Sequence, residues 1–127
     1  MAEVLPDFDA ADLARRVEQL ATEQIDSLPF GAIRLAADNT ILLQSAAERR
    51  LSGFGERASL GKHFFHDIAP CMDQEEYRGR IERALAAGKL DLQFTHYGDF
   101  EDRDRELTVR VQSASDGGCW IFMRREA

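Results

Sequence analysis

Phe30-Gly-Ala-Ile-Arg-Leu35, the polar pair Asp38-Asn39 and Thr40-Ile-Leu-Leu-Gln44 make up the stretch on which the fold turns. Two β-rich runs separated by a tight polar turn predict a hairpin, since Asp and Asn accept the backbone conformations that a reversing strand needs. Three further strands are expected at Leu90–Tyr97, roughly Arg105–Ser113 and Cys119–Arg124. In the middle one Leu107, Val109 and Val111 alternate with Thr108, Arg110 and Gln112, which predicts one buried and one wet face. Gly117-Gly118 supplies the turn into the last strand.

Around these strands the period becomes helical. From Asp9 to about Gln24, Leu13, Val17, Leu20 and Ala21 recur at helical spacing behind Asp9 as an N-cap, predicting one short amphipathic helix. So narrow a stripe must pack on something else, and residues 1–27 are expected to form a weakly anchored cap on a core of residues 28–127. Ser45, three residues before Glu48, carries a capping-box pattern that Gly53 and Gly55 interrupt. Asp73-Gln-Glu-Glu opens the longest predicted helix, through about Ala87, with Tyr77, Ile81, Ala84 and Leu85 on one face and Gly88 as its stop. The order predicts a single α+β domain whose five-stranded antiparallel sheet carries helices on one face.

A chain of 127 residues with a formal net charge of −7 interleaves its arginines with carboxylates, which argues against nucleic-acid binding. No apolar run approaches a membrane span and the N-terminus lacks a signal-peptide pattern, so no membrane partner is expected and the cytoplasm is the default compartment. Cys71 and Cys119 are too few for a disulfide framework. The pair His63 and His66 lacks further metal ligands at suitable spacing. No nucleophile, base and orienter set is visible, so no enzyme is proposed.

The remaining motif is Gly61-Lys-His-Phe-Phe-His-Asp-Ile-Ala-Pro-Cys71. Pro70 biases Ala69 away from helix and holds Cys71 on a stiffened turn, with Phe64, Phe65 and Ile68 as apolar walls. Spacing alone favours a buried structural cysteine, and it leaves Glu48 as the N3 residue of a capping box.

Taken together, Phe30-Gly-Ala-Ile33, Ile41-Leu42 followed by Ala46-Ala-Glu48, the Gly61–Cys71 motif and Trp120-x-Phe122 resemble the photoactive yellow protein family, blue-light receptors of the PAS superfamily. The resemblance implies a PAS fold and a p-coumaric (4-hydroxycinnamic) acid chromophore joined by a thioester to Cys71. It implies a surround of Gln44, Glu48, Ser52, Phe54, Phe64, Ile68, Ala69, Pro70, Tyr97, Gly98 and Asp99. Light would isomerise the chromophore from trans to cis, Glu48 would pass its proton to the phenolate, and partial unfolding of the N-terminal cap would signal to a separate, unidentified partner protein. The chain itself is expected to be a monomer or weak dimer.

Several positions depart from the family pattern. Gln44 stands where a tyrosine is usual, and an amide N–H is a weaker acid than a phenol O–H, so the chromophore's pKa should rise. Phe54 replaces an arginine, His96 a tyrosine, Gly98 a phenylalanine, and Asp102 a methionine linked to thermal recovery, which implies a slow cycle. These departures leave room for a non-photoactive PAS interaction or ligand-sensing module. A thiol redox sensor on Cys71 fits less well, because aromatic neighbours raise a thiol's pKa by burying it.

Overall fold

The computed structural model describes residues 5–46, 60–68, 73–88, 90–97 and 106–125, with the side chains of Ile68, His96, Tyr97 and Arg125 outside the description. Five strands form one antiparallel sheet: β1 (Gly31–Leu35), β2 (Ile41–Gln44), β3 (Asp91–Tyr97), β4 (Glu106–Ser113) and β5 (Cys119–Arg125), ordered β2-β1-β5-β4-β3. The hairpin β1–β2 turns through Asn39 at φ 69°, where the Asp38 carboxylate accepts the Thr40 N–H at 3.0 Å. The extra residue in its register is Leu42, which a bulge leaves 48% exposed. Gly117 takes φ 94° in the β4–β5 turn, and at Gly118 a Cβ would lie 2.0 Å from the Leu35 carbonyl oxygen. Only glycine fits there.

Across β1, β4 and β5 both faces of the sheet are buried, while Gln93 and Thr95 of β3 are exposed. One face carries Ile33, Leu35, Val109, Val111, Ile121 and Met123 against Phe64, Phe65 and Ile81. Ile81 comes from α3 (Arg80–Ala86), and Tyr77, Ala84 and Leu85 pack on the same core as predicted. The long helix expected from Asp73 is instead a wide π-type turn, Glu75–Gly79, running into this short α-helix. Asp73 does not cap it: its carboxylate accepts a hydrogen bond from Arg78 Nη1 at 2.9 Å. Gly88, at φ 76°, ends the helix.

The other face differs from expectation more deeply. Instead of one N-terminal helix capped by Asp9 there are two, α1 (Leu13–Glu18) and α2 (Thr22–Asp26), because the Gln24 side chain accepts the Ala21 N–H at 2.8 Å and starts a new helix there. Ala21 is accordingly exposed, while Phe8, Leu13, Ala14, Val17, Ile25 and Leu28 pack with Phe30, Ala32, Trp120 and Phe122. The apolar anchoring is broader than the narrow stripe suggested.

The polar face of β4 therefore meets protein, not water. Thr108, Arg110 and Gln112 are all buried. Gln112 Oε1 accepts the Ala14 N–H at 2.8 Å, and its Nε2 donates to the carbonyl of Ala11 at 3.0 Å and to Asp91 at 3.1 Å. Arg110 Nη1 donates to the carbonyls of Phe8 and Ala10. Arg110 and Gln112 thereby satisfy main-chain atoms that the first helix leaves open. Beside them the Glu18 carboxylate accepts the Trp120 indole N–H at 2.8 Å and the Ser115 N–H at 3.0 Å.

Burial alone would raise the Glu18 pKa, but these hydrogen bonds and the nearby Arg34 outweigh it, so the carboxyl is held below its ordinary value. Its contribution to stability is complete above the ordinary carboxylate range and is lost as pH falls through the lowered value. Acid below the ordinary carboxylate range should therefore change Trp120 fluorescence in wild type with a step that Glu18→Gln removes. Gln112→Leu strips the partner from a buried N–H and should lower unfolding free energy by about 1–3 kcal/mol in urea titrations.

Candidate functional site

Gln44, the last residue of β2, is 5% exposed and pairs with Ile33 of β1. Directly opposed residues of antiparallel strands share a face, so Gln44 lies on the face of Ile33. The row continues through Ile121, Val111 and Leu92, crossing all five strands. Gln44 is the one polar member of that row.

The first part of the Gly61–Cys71 motif is laid along the edge of β2. Ile41 N–H donates to the Lys62 carbonyl and Gly61 N–H to the Ile41 carbonyl, both at 2.9 Å, and Thr40 bridges His63. Gly61 takes φ 82° to enter this pairing. Phe64 N–H then donates to the Asn39 carbonyl at 2.9 Å, and a wide turn, Phe64–Ile68, follows. It is closed by a reciprocal pair: His63 N–H donates to the Asp67 carboxylate and Asp67 N–H to the His63 carbonyl, each at 2.9 Å.

This turn drives Phe64 and Phe65 into the core, where both are fully buried and meet edge to face with centroids 5.1 Å apart. Arg78 sits over the outer side of Phe65 at 5.4 Å. Tyr77 and Phe94, 5.0 Å between ring centroids, pack against the same core. Phe64 and Gln44 are thus brought to one side of the sheet. Ser45, read as a helix cap, is buried with its hydroxyl oxygen accepting the Ala32 N–H at 3.0 Å.

Tyr97 ends β3, opposite Glu106, and Ile68 ends the wide turn. The remaining expected site residues, Glu48, Ser52, Phe54, Ala69, Pro70, Cys71, Gly98 and Asp99, lie outside the described residues, as does Asp102. Cys119 is buried against the core, and burial, with Asp116 adding to it, pushes its thiol up to about 12. Among the described residues no cluster of histidine, cysteine and carboxylate could hold a metal ion. Sequence reading missed Arg110, Gln112 and Arg78 as structural ties. For Arg110 and Gln112 the one signal was the polar alternation along β4, and no local pattern marked Arg78.

The family model described as PAS fold matches residues 25–124. Photoactive yellow protein from Rhodothalassium salexigens is 38% identical over 119 residues, covering 93% of this chain and 95% of that protein. The chain belongs to the photoactive yellow protein family. Photoactive yellow protein from Halochromatium salexigens is 31% identical over the same coverage. Among solved structures, the photoactive yellow protein domain from the sensor histidine kinase Ppr of Rhodospirillum centenum superposes with a TM-score of 0.78 at 30% identity, covering 87% of this chain and 98% of that one. The photoactive yellow protein family is one of sensory PAS photoreceptors, and in the kinase its domain is part of a signalling protein. Among the described residues no helix is long and apolar enough to cross a membrane.

The thiol of Cys119 gives a direct check on the packing of this family member. In a Cys71→Ala background at mildly alkaline pH, alkylation of Cys119 should be slower in the folded chain than in denaturant by on the order of a thousand-fold, since only the thiolate reacts. Comparable rates in the two states would contradict the burial of that strand end.

Proposed function

We propose that this chain is a cytoplasmic blue-light photoreceptor carrying p-coumaric acid as a thioester on Cys71. The observation that supports the reading most is Gln44: a buried amide in an otherwise apolar cross-strand row, on the side where Phe64 and Phe65 are buried. An aromatic acyl group suits such surroundings, because apolar walls accept its ring while an amide N–H can donate to its phenolic oxygen. The donor set fits the group.

When bound, the p-coumaroyl group supplies light absorption and a trans-to-cis isomerisation. The chain's own residues do the rest. Glu48 holds a proton in the dark, because desolvation and a neighbouring phenolate both disfavour its charged form. Gln44 and the Ser52 hydroxyl donate toward the phenolic oxygen, and Phe54 screens it from water. Pro70, through its bias on Ala69, stiffens the approach to the thiol, Ile68 adds an apolar wall, and Tyr97, Gly98 and Asp99 complete the surround that the family resemblance implies.

Once Glu48 gives up its proton it is a buried carboxylate without a counter-ion, a state costing several kcal/mol unless the surroundings rearrange. The element that yields is the segment up to about residue 27, which caps the core of residues 28–127. Its partial release is the signal, read by a separate signalling protein.

Absorption spectra of chain reconstituted with activated p-coumaric acid test this. A visible or near-ultraviolet band that bleaches reversibly in blue light, and is missing in Cys71→Ala, is the expected result. No uptake, or a band that never bleaches, would leave a PAS interaction module without a pigment. Gln44→Tyr supplies a more acidic donor and should move the pigment's ionisation midpoint to lower pH. A midpoint unmoved or raised by that change would remove Gln44 from the phenolate's surroundings.

A further inference from the structure

His63 and His66 take no part in the reading above, yet their rings stack face to face with centroids 3.8 Å apart and planes within 12°. Each ring acts as a hydrogen-bond acceptor. His63 Nδ1 accepts the backbone N–H of His66 at 3.1 Å. His66 Nε2 lies 3.1 Å from Arg78 Nη1, and since arginine has only donors, that ring nitrogen must be the acceptor. Both bonds exist only while the rings are neutral at those atoms.

We propose that His63 and His66 form a proton-operated clip: while neutral, the two rings hold the turn Phe64–Ile68 to Arg78, and uptake of a proton by either ring releases that hold. A proton taken from solvent by His63 Nδ1 sets donor against donor at the His66 N–H. One taken by His66 Nε2 does the same toward Arg78 and turns the ring to Asp73, whose Oδ2 is 3.6 Å away. Asp73 is also the partner of Arg78, at 2.9 Å, so the two cations then compete for one carboxylate.

The charged surroundings favour the neutral state. Burial disfavours a charged His63 most, and His66 and Arg78 add to it, outweighing Asp67 and Asp73 on the other side, so its pKa is lowered. Asp38, on the β1–β2 turn, also feels His63, and Glu82 of α3 holds Arg78 Nε at 3.3 Å. Lys62 is exposed beside the pair. A lowered imidazole pKa means that the unfolded chain takes up the proton first, so the clip loses stability as pH falls below the ordinary range near 6.5. The clip joins residues on either side of the segment 69–72, and it operates whether or not that segment carries a pigment.

The full, unpigmented chain suffices for the test, so failure to bind p-coumaric acid would leave the result intact. In nitrogen-edited NMR from about pH 8 to about pH 5, the His63 ring should titrate with a midpoint below the ordinary imidazole value. The His66 backbone amide should move with that same midpoint, and in His63→Phe that component of its pH-dependent shift should be lost. Titration of the His63 ring with the His66 amide unmoved would overturn the clip, as would the same amide shift persisting in His63→Phe. The wild-type titration decides on its own should that variant fail to fold.

Discussion

The structure depends on what happens to the polar side of β4. Arg110 and Gln112 are 6% exposed each, and a guanidinium or amide so deeply placed must find partners or destabilise the sheet by several kcal/mol. The partners are the carbonyls of Phe8, Ala10 and Ala11 and the N–H of Ala14, about a hundred residues away in sequence. The N-terminal segment is thus a required cover for the sheet. In return the sheet satisfies main-chain groups around the start of α1 that no side-chain cap serves.

That constraint explains why the fold was partly legible in the sequence. Asp38-Asn39, Gly88 and Gly117-Gly118 announced their turns because each conformation has a local chemical signature, and the alternation at Leu107, Val109 and Val111 announced one apolar face. The same alternation says only that Thr108, Arg110 and Gln112 share the opposite face. Whether water or a distant carbonyl meets them is a long-range fact that no local pattern carries. The break at Ala21 was hidden for a similar reason, since it turns on the Gln24 side chain choosing a main-chain N–H over solvent.

For the candidate site, Gln44 and Phe64 were singled out through the family resemblance, and both are buried on the core face. The roles proposed for Cys71 and Glu48 rest on the family resemblance alone, since spacing by itself favoured a structural cysteine and a helix cap. The stacked histidines were visible as a His-x-x-His spacing, but spacing could not show that Arg78 would close on them.

The two faces of the sheet share strands. Ile33 faces the site while Ala32 and Arg34 face the N-terminal helices, and Ile121 stands between Trp120 and Phe122 in the same way. A rearrangement on the Gln44 side would therefore reach the Arg110 and Gln112 ties through strands that both faces share. Amide hydrogen exchange of the pigmented chain in light and in darkness tests this most directly. Exchange at the Ala14 N–H should accelerate in light while β4 and β5 stay protected. An Ala14 N–H whose exchange is the same in light and darkness, in a chain whose pigment band bleaches and recovers, would contradict the link between the site and the N-terminal cover.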